Sequence, residues 1–157
     1  MRVGHGYDAH RLASGRRLVL AGVEVPHDRG LAGHSDGDVV THAIIDALLG
    51  AAGLGDIGQH FPSGDPAFRD VSSLLLLQRV GRLLAEHQLR PHNVDATLVA
   101  ERPRISPHIP EMRRRLAEAL QVAPELISVK ATTTDELGFT GREEGMAAFA
   151  VVTVVKE

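Results

Sequence analysis

The sequence predicts one α+β domain over residues 1–157, a mixed or antiparallel sheet packed against helices, ferredoxin-like in character, in the order ββααβαββ. Three observations predict it. Strand-like segments mark both ends of the chain, and apolar residues alternate with polar ones around residue 95. They recur at helical spacing in three stretches between those segments. No repeat, linker or low-complexity tract divides a chain whose length suits a single core.

In chain order, residues 2–7 and the run LVLAGVEV from Leu18 to Val25 read as two strands joined by the polar turn ASGRR. A first helix follows in HSDGDVVTHAIIDALLGAAG, with Ser35, Asp36 and Asp38 as capping candidates and Val39, Ala43, Ile44, Ala47 and Leu48 on its apolar face. The stretch LGDIGQHFPSGDPAFRD carries three Gly and two Pro and is long for a connection, which marks it as functional or mobile. A second helix runs from about Ser72 to Gln88, with Leu74, Leu77, Val80 and Leu84 on one stripe, before the alternating strand HNVDATLVAE. Ser106 and Pro107 look like the N-cap and first turn of a third helix through Gln121. The strand ISVKATTT, the turn DELGFTGREE and the strand GMAAFAVVTVV complete the chain. That last strand is apolar on both faces, which predicts cover on both sides or a subunit contact.

Composition narrows the chemistry. Aromatics are only 3% and Trp is absent, so the core must be Leu, Val, Ile and Ala. The net charge is −3 and the basic residues are scattered apart from Arg113, Arg114 and Arg115, a solvated helix face and no nucleic-acid stripe. Without cysteine there are no disulfides or thiolate metal sites, and any metal falls to His, Asp and Glu. No segment reads as a signal peptide or membrane span, which predicts a soluble protein in the cytoplasm.

The chemistry concentrates near the start, in GHGYDAH, Gly4 to His10. Asp8 and His10 are two apart in extended chain, so they leave the same face ~7 Å apart at Cα, whereas His5 points the other way. His42 lies one turn inside the first helix. Together Asp8, His10 and His42 offer two imidazoles and a carboxylate with a fourth position open, which is how catalytic zinc is held. Asp46, four residues on, shares the helix face of His42 and could orient its ring. In KATTTDELGFTGR, three threonines at a strand end with Arg142 behind them make a candidate phosphate cradle, and Asp135 is an oxygen ligand of the kind magnesium takes with phosphates.

RVGHGYDAHR, LAGHSDGDVVTHAIIDALLGAAGLGDIGQHFP and VKATTTDELGFTGR together resemble, in register from Arg2 to Arg142, the 2-C-methyl-D-erythritol 2,4-cyclodiphosphate synthase family. The resemblance implies a lyase of the non-mevalonate isoprenoid pathway. Its substrate, 4-diphosphocytidyl-2-C-methyl-D-erythritol 2-phosphate, closes on itself and releases CMP. It implies zinc on Asp8, His10 and His42, and a second divalent ion, magnesium or manganese, near Asp135, where the family usually has Glu. It further implies His34 and Thr133 as transition-state stabilisers and substrate contacts at His34, Ser35, Asp56, Ile57, Gly58 and Phe61. Ala100 and Thr132, Thr133, Thr134 and Asp135 would surround the cytidine diphosphate, with no ligand role carried onto Ser63. A homotrimer with sites at subunit boundaries is implied, with Phe139 and Arg142 toward its centre. The residues alone also permit a monomer, a zinc phosphohydrolase using Asp46 or Asp38 as base, or a non-catalytic zinc protein in which His5 or His34 is a fourth ligand.

Overall fold

A computed structural model describes residues 1–157. The first strand, β1, runs from Arg2 to Ser14, so GHGYDAH lies wholly inside it and not at its end. It pairs antiparallel with β7 (Gly145–Lys156) from Arg2 opposite Val154 to Arg11 opposite Gly145. On the other side of β7 lies β5 (Leu89–Val99), also antiparallel, and β6 (Ile127–Thr132) runs parallel to β5. A short strand, β4 (Arg29–Leu31), closes the other edge against Leu12 to Ser14, giving the order β4-β1-β7-β5-β6.

The expected second strand is a correction. Ala21 and Gly22 both have positive φ, which breaks Leu18–Val25 into a hairpin of β2 (Leu18–Leu20) and β3 (Val23–Val25) outside the main sheet. A distant group forces the turn. The buried Asp38 carboxylate accepts the N–H groups of Ala21 and Gly22, each at 2.8 Å, and the Thr41 N–H and hydroxyl at 3.0 and 2.7 Å. Asp38 therefore caps α1 (Val39–Ala52) and pins the hairpin at once, while Ser35 and Asp36 are not its cap.

Of the remaining helices, α2 (Ile57–His60) is one turn, α3 (Ser73–Glu86) and α4 (Ile109–Leu120) are long, and α5 (Gly138–Gly141) is again one turn. The long elements thus read βααβαββ. Ser106 does not cap α4: Ser106–His108 is a 3₁₀ turn ahead of it, and the Ser106 hydroxyl accepts from Arg104 at 3.0 Å.

The helices cover one face of the sheet. On β7, Met146, Ala148, Ala150, Val152 and Val154 are fully buried beneath them, whereas Phe149 and Val151 on the other face are 43% and 45% exposed. Tyr7 joins them there, its ring centroid 5.0 Å from that of Phe149. The core is Leu, Ile, Val and Ala with two Met, and none of the four Phe lies in it. No helix is long and apolar enough to cross a membrane.

Two glycines decide where α1 sits. A Cβ on Gly4 or Gly6 would run into the backbone carbonyls of Ala47 or Ala43, so α1 rests directly on β1 only because both residues are glycine. That contact sets His42 over Asp8 and His10.

Candidate metal centre and active site

Asp8 and His10 project from β1 toward α1, and His42 comes down from the first turn of α1. Their ligand atoms all lie within 4.8 Å of one another. The Asp8 Oδ2 is 2.7 Å from His10 Nε2 and 3.1 Å from His42 Nδ1, and the two nitrogens are 3.2 Å apart. His10 Nδ1–H donates to the Ala32 carbonyl at 2.6 Å, so it is Nε2 that faces the cluster and that gains a free lone pair when its proton leaves. A four-coordinate ion with bonds of about 2.0–2.1 Å spaces its donors roughly 3.4 Å apart, so a spread of about 0.2–0.7 Å would admit one. The three residues fit a small divalent metal.

Burial works to raise the Asp8 pKa, but the imidazoles of His10 and His42 beside it outweigh that and hold the group at about 2, against an ordinary 3.8. Burial likewise works to lower that of His10, but the bond and charge of Asp8 raise it above 6.5. Asp8, depressed in the fold, adds stability above pH 3.8 that is lost as pH falls toward 2; His10, raised, adds stability below pH 6.5 that is lost as pH rises through its folded value. Thermal unfolding of the metal-free protein should show the pair's largest contribution between these limits, and His10→Gln should remove it. A metal held by His10 Nε2 would have to displace the His10 proton in that window. Calorimetric affinity should fall by about tenfold per pH unit as the pH drops below the raised value, and a flat profile would contradict the assignment.

A pocket of about 230 Å³ opens on the cluster. His34, Ser35, Ile57, Gly58 and Phe61 line it together with Ser63, Phe68 and Leu76. His34 Nε2–H donates to the Asp65 carbonyl at 2.8 Å and the Phe61 and Phe68 rings meet edge-on at 5.4 Å, so the long glycine-rich stretch is folded over the pocket. Asp56 caps α2 through the Gln59 N–H at 3.0 Å and lies exposed at the rim. Asp46 does not orient His42: its carboxylate accepts the Ile57 N–H at 2.8 Å and so ties α1 to the pocket wall.

The threonine segment lies elsewhere. Asp8 is opposite Ala148, Ala148 opposite Leu98, and Leu98 opposite Ala131, which puts Ala131 and the Thr132 beside it three strand spacings, roughly 14 Å, from the cluster. Ala100 is there too, its N–H donating to the Thr132 carbonyl at 3.0 Å. The cradle is partly filled: Glu101 Oε1 accepts the N–H groups of Thr134 and Glu136, both at 3.1 Å. Sequence reasoning misses Glu101 because nothing local announces a carboxylate that reaches a segment more than thirty residues away. Thr133 and Asp135 stay exposed, 3.4 Å apart at Oγ1 and Oδ1. Arg142 does not reach the threonines; it pairs with Glu144 at 2.9 Å, near the half-exposed Phe139.

Within one chain, then, metal donors and threonines share an end of the sheet but no pocket. The same chain matches the YgbB family over residues 1–155. The chain belongs to the YgbB family. Relatives named 2-C-methyl-D-erythritol 2,4-cyclodiphosphate synthase include those of Syntrophomonas wolfei, 59% identical over 98% of both chains, and of Symbiobacterium thermophilum, 60% identical over the same shares. Among solved structures, the bifunctional IspDF of Campylobacter jejuni matches with a TM-score of 0.96 at 40% identity. This YgbB chain is covered to 99% there and spans 42% of that longer protein. The IspF of Plasmodium falciparum, solved as a CDP complex, matches with a TM-score of 0.87 at 30% identity, covering 99% of this chain and 96% of that one. For the YgbB chain the relatives favour neither other reading. The hydrolase bases Asp38 and Asp46 are already held by backbone N–H groups, and of the two candidate fourth ligands His5 is on the opposite face of β1, whereas His34 lines the pocket with its Nε2 on the Asp65 carbonyl.

Proposed function

We propose that this chain is a cyclodiphosphate synthase of the non-mevalonate isoprenoid pathway, a phosphorus–oxygen lyase acting in the cytoplasm. It converts 4-diphosphocytidyl-2-C-methyl-D-erythritol 2-phosphate to 2-C-methyl-D-erythritol 2,4-cyclodiphosphate and CMP. The observation that carries this reading is the convergence of Asp8, His10 and His42 beside His34 in one pocket of a YgbB-family chain.

In the reaction an oxygen of the 2-phosphate bonds to the β-phosphorus, the bond from that phosphorus to the bridging oxygen breaks, and CMP leaves with that oxygen. The nucleophile is already anionic, so no general base is needed, and the work is to orient two anions and offset their repulsion. Asp8, His10 and His42 would hold zinc, whose Lewis acidity draws charge from a diphosphate oxygen. His34 and Thr133 stabilise the charge that builds on the transferred phosphorus, and Ser35 donates its hydroxyl proton to a phosphate oxygen. Asp56, Ile57 and Gly58 hold the erythritol hydroxyls, while Phe61 shields them from water. Ala100 and Thr132 to Asp135 hold the cytidine end, and Asp135 would hold the second ion, magnesium or manganese.

Because the threonines stand roughly 14 Å from Asp8 in one chain, they come from a neighbouring copy, and the site is completed in a homotrimer. The exposed apolar face of β1 and β7 supports this assembly, in which Phe139 and Arg142 turn toward the centre.

Turnover is tested by chromatographic detection of CMP from the cytidine substrate, abolished by chelation and restored by zinc; substrate left intact by the zinc-loaded protein would overturn the reading. Asp135→Ala is expected to keep its zinc by elemental analysis but to need roughly tenfold more magnesium for half-maximal rate. An unchanged magnesium dependence would remove Asp135 from the second site.

A further inference from the structure

His42 has a choice of proton. Its Nδ1 faces Asp8 Oδ2 at 3.1 Å, and its Nε2 faces two hydroxyls, Ser73 Oγ at 2.8 Å and Ser35 Oγ at 3.0 Å. If Nδ1 carries the proton it donates to Asp8, Nε2 accepts from a serine, and no lone pair is left for a metal. If Nε2 carries it, Nδ1 is free to bind. The second gives up the bond to Asp8 and leaves Nδ1 only the His10 Nε2–H, 3.2 Å away, to accept from, so something at Nε2 must select for it.

The selection comes from Asp36. Its Oδ1 accepts the Ser73 hydroxyl and the Asp38 N–H at 3.1 Å, and its Oδ2 accepts the Ser73 N–H at 2.9 Å. A carboxylate accepts and cannot donate, so it draws the hydroxyl proton of the fully buried Ser73 to itself. Ser73 then has only lone pairs to offer His42 and can only accept. Ser35 has no such anchor; its one other protein contact is a long 3.5 Å bond from the Gly37 N–H, so its hydroxyl can point either way.

We infer that Ser73, polarised by Asp36, is a positioning residue that fixes the proton of His42 on Nε2 and presents Nδ1 to the metal. The inference rests on reading Asp8, His10 and His42 as the metal site. It has a second consequence: with Nε2 donating to Ser73, His42 places no demand on the Ser35 proton, which is left for an anionic oxygen in the pocket.

The test uses long-range proton–nitrogen NMR of the ¹⁵N-labelled, metal-free protein together with zinc titration. The wild-type His42 should show a protonated Nε2 and an unprotonated Nδ1. Ser73→Ala should shift His42 toward the Nδ1–H form, leave the His10 signals in place, and weaken zinc binding by roughly 10- to 100-fold. Asp36→Asn, whose amide can donate to Ser73, should move His42 the same way. Wild-type affinity and an unmoved His42 spectrum in Ser73→Ala would overturn the inference. So would a wild-type spectrum with the proton on Nδ1, a result available even if the variant fails to fold. Failure of the wild-type protein to bind zinc at all would instead overturn the metal-site reading, and the inference with it.

Discussion

His42→Ala should lose its zinc and about a thousandfold in CMP release, the several kcal/mol that a Lewis acid contributes to phosphoryl chemistry. The expectation follows from the geometry. His42 is the only one of the three donors carried by a helix, and it is buried, so nothing on the surface can replace it. Asp8 and His10 would remain hydrogen-bonded at 2.7 Å, a pair with too few donors for a tight divalent site. His5→Gln is the control, since His5 lies exposed on the opposite face of β1, its ring 6.2 Å from that of Phe149. It should retain both zinc and turnover. Elemental analysis of the two purified variants separates these outcomes, and loss of zinc from His5→Gln would contradict the assignment.

The second large effect concerns no functional group at all. Gly6→Val should lower stability by about 3 kcal/mol or more, because its Cβ would meet the backbone of Ala43, and a helix backbone cannot turn aside as a side chain can. Driving α1 off β1 also widens the gap between His42 and the other two donors, so zinc should be lost in the fraction that still folds. Gly50→Ala, also in α1 but with nothing within 4 Å of the new methyl, should stabilise by about 0.5–1 kcal/mol. Urea midpoints of the two variants should move in opposite directions; equal shifts would show that the close approach of α1 to β1 is not what Gly6 provides.

The same residues mark the reach of the sequence. Asp8 and His10 are legible because alternation along a strand is a fixed rule, and His42 because its helix follows from the spacing of Val39, Ala43 and Ala47. The role of Gly6 is not, because a close approach between two backbones leaves no trace in either segment alone. Other elements differ from their patterns for a related reason. Leu18–Val25 has the pattern of one strand, and only the carboxylate of Asp38 turns it into a hairpin. Asp46 sits on the correct helix face for His42, yet the Ile57 N–H reaches it first. The threonine cradle is open by its pattern, yet Glu101 occupies two of its amides. In each case a polar group satisfies a distant backbone donor, as buried backbone polar groups require, and pattern reading along the chain does not reach that far. The apolar last strand is legible as a strand, while the exposure of Phe149 and Val151 depends on the helices sharing one face, which no single segment records.

Ring closure, where a hydrolase would admit water, is the step that distinguishes the proposed enzyme. Phosphorus NMR of the zinc- and magnesium-loaded protein with the diphosphocytidyl substrate reads that step without an intermediary. The resonances of a cyclic diphosphate should rise in step with those of CMP. CMP accompanied by linear phosphates would contradict ring closure and assign the site to hydrolysis.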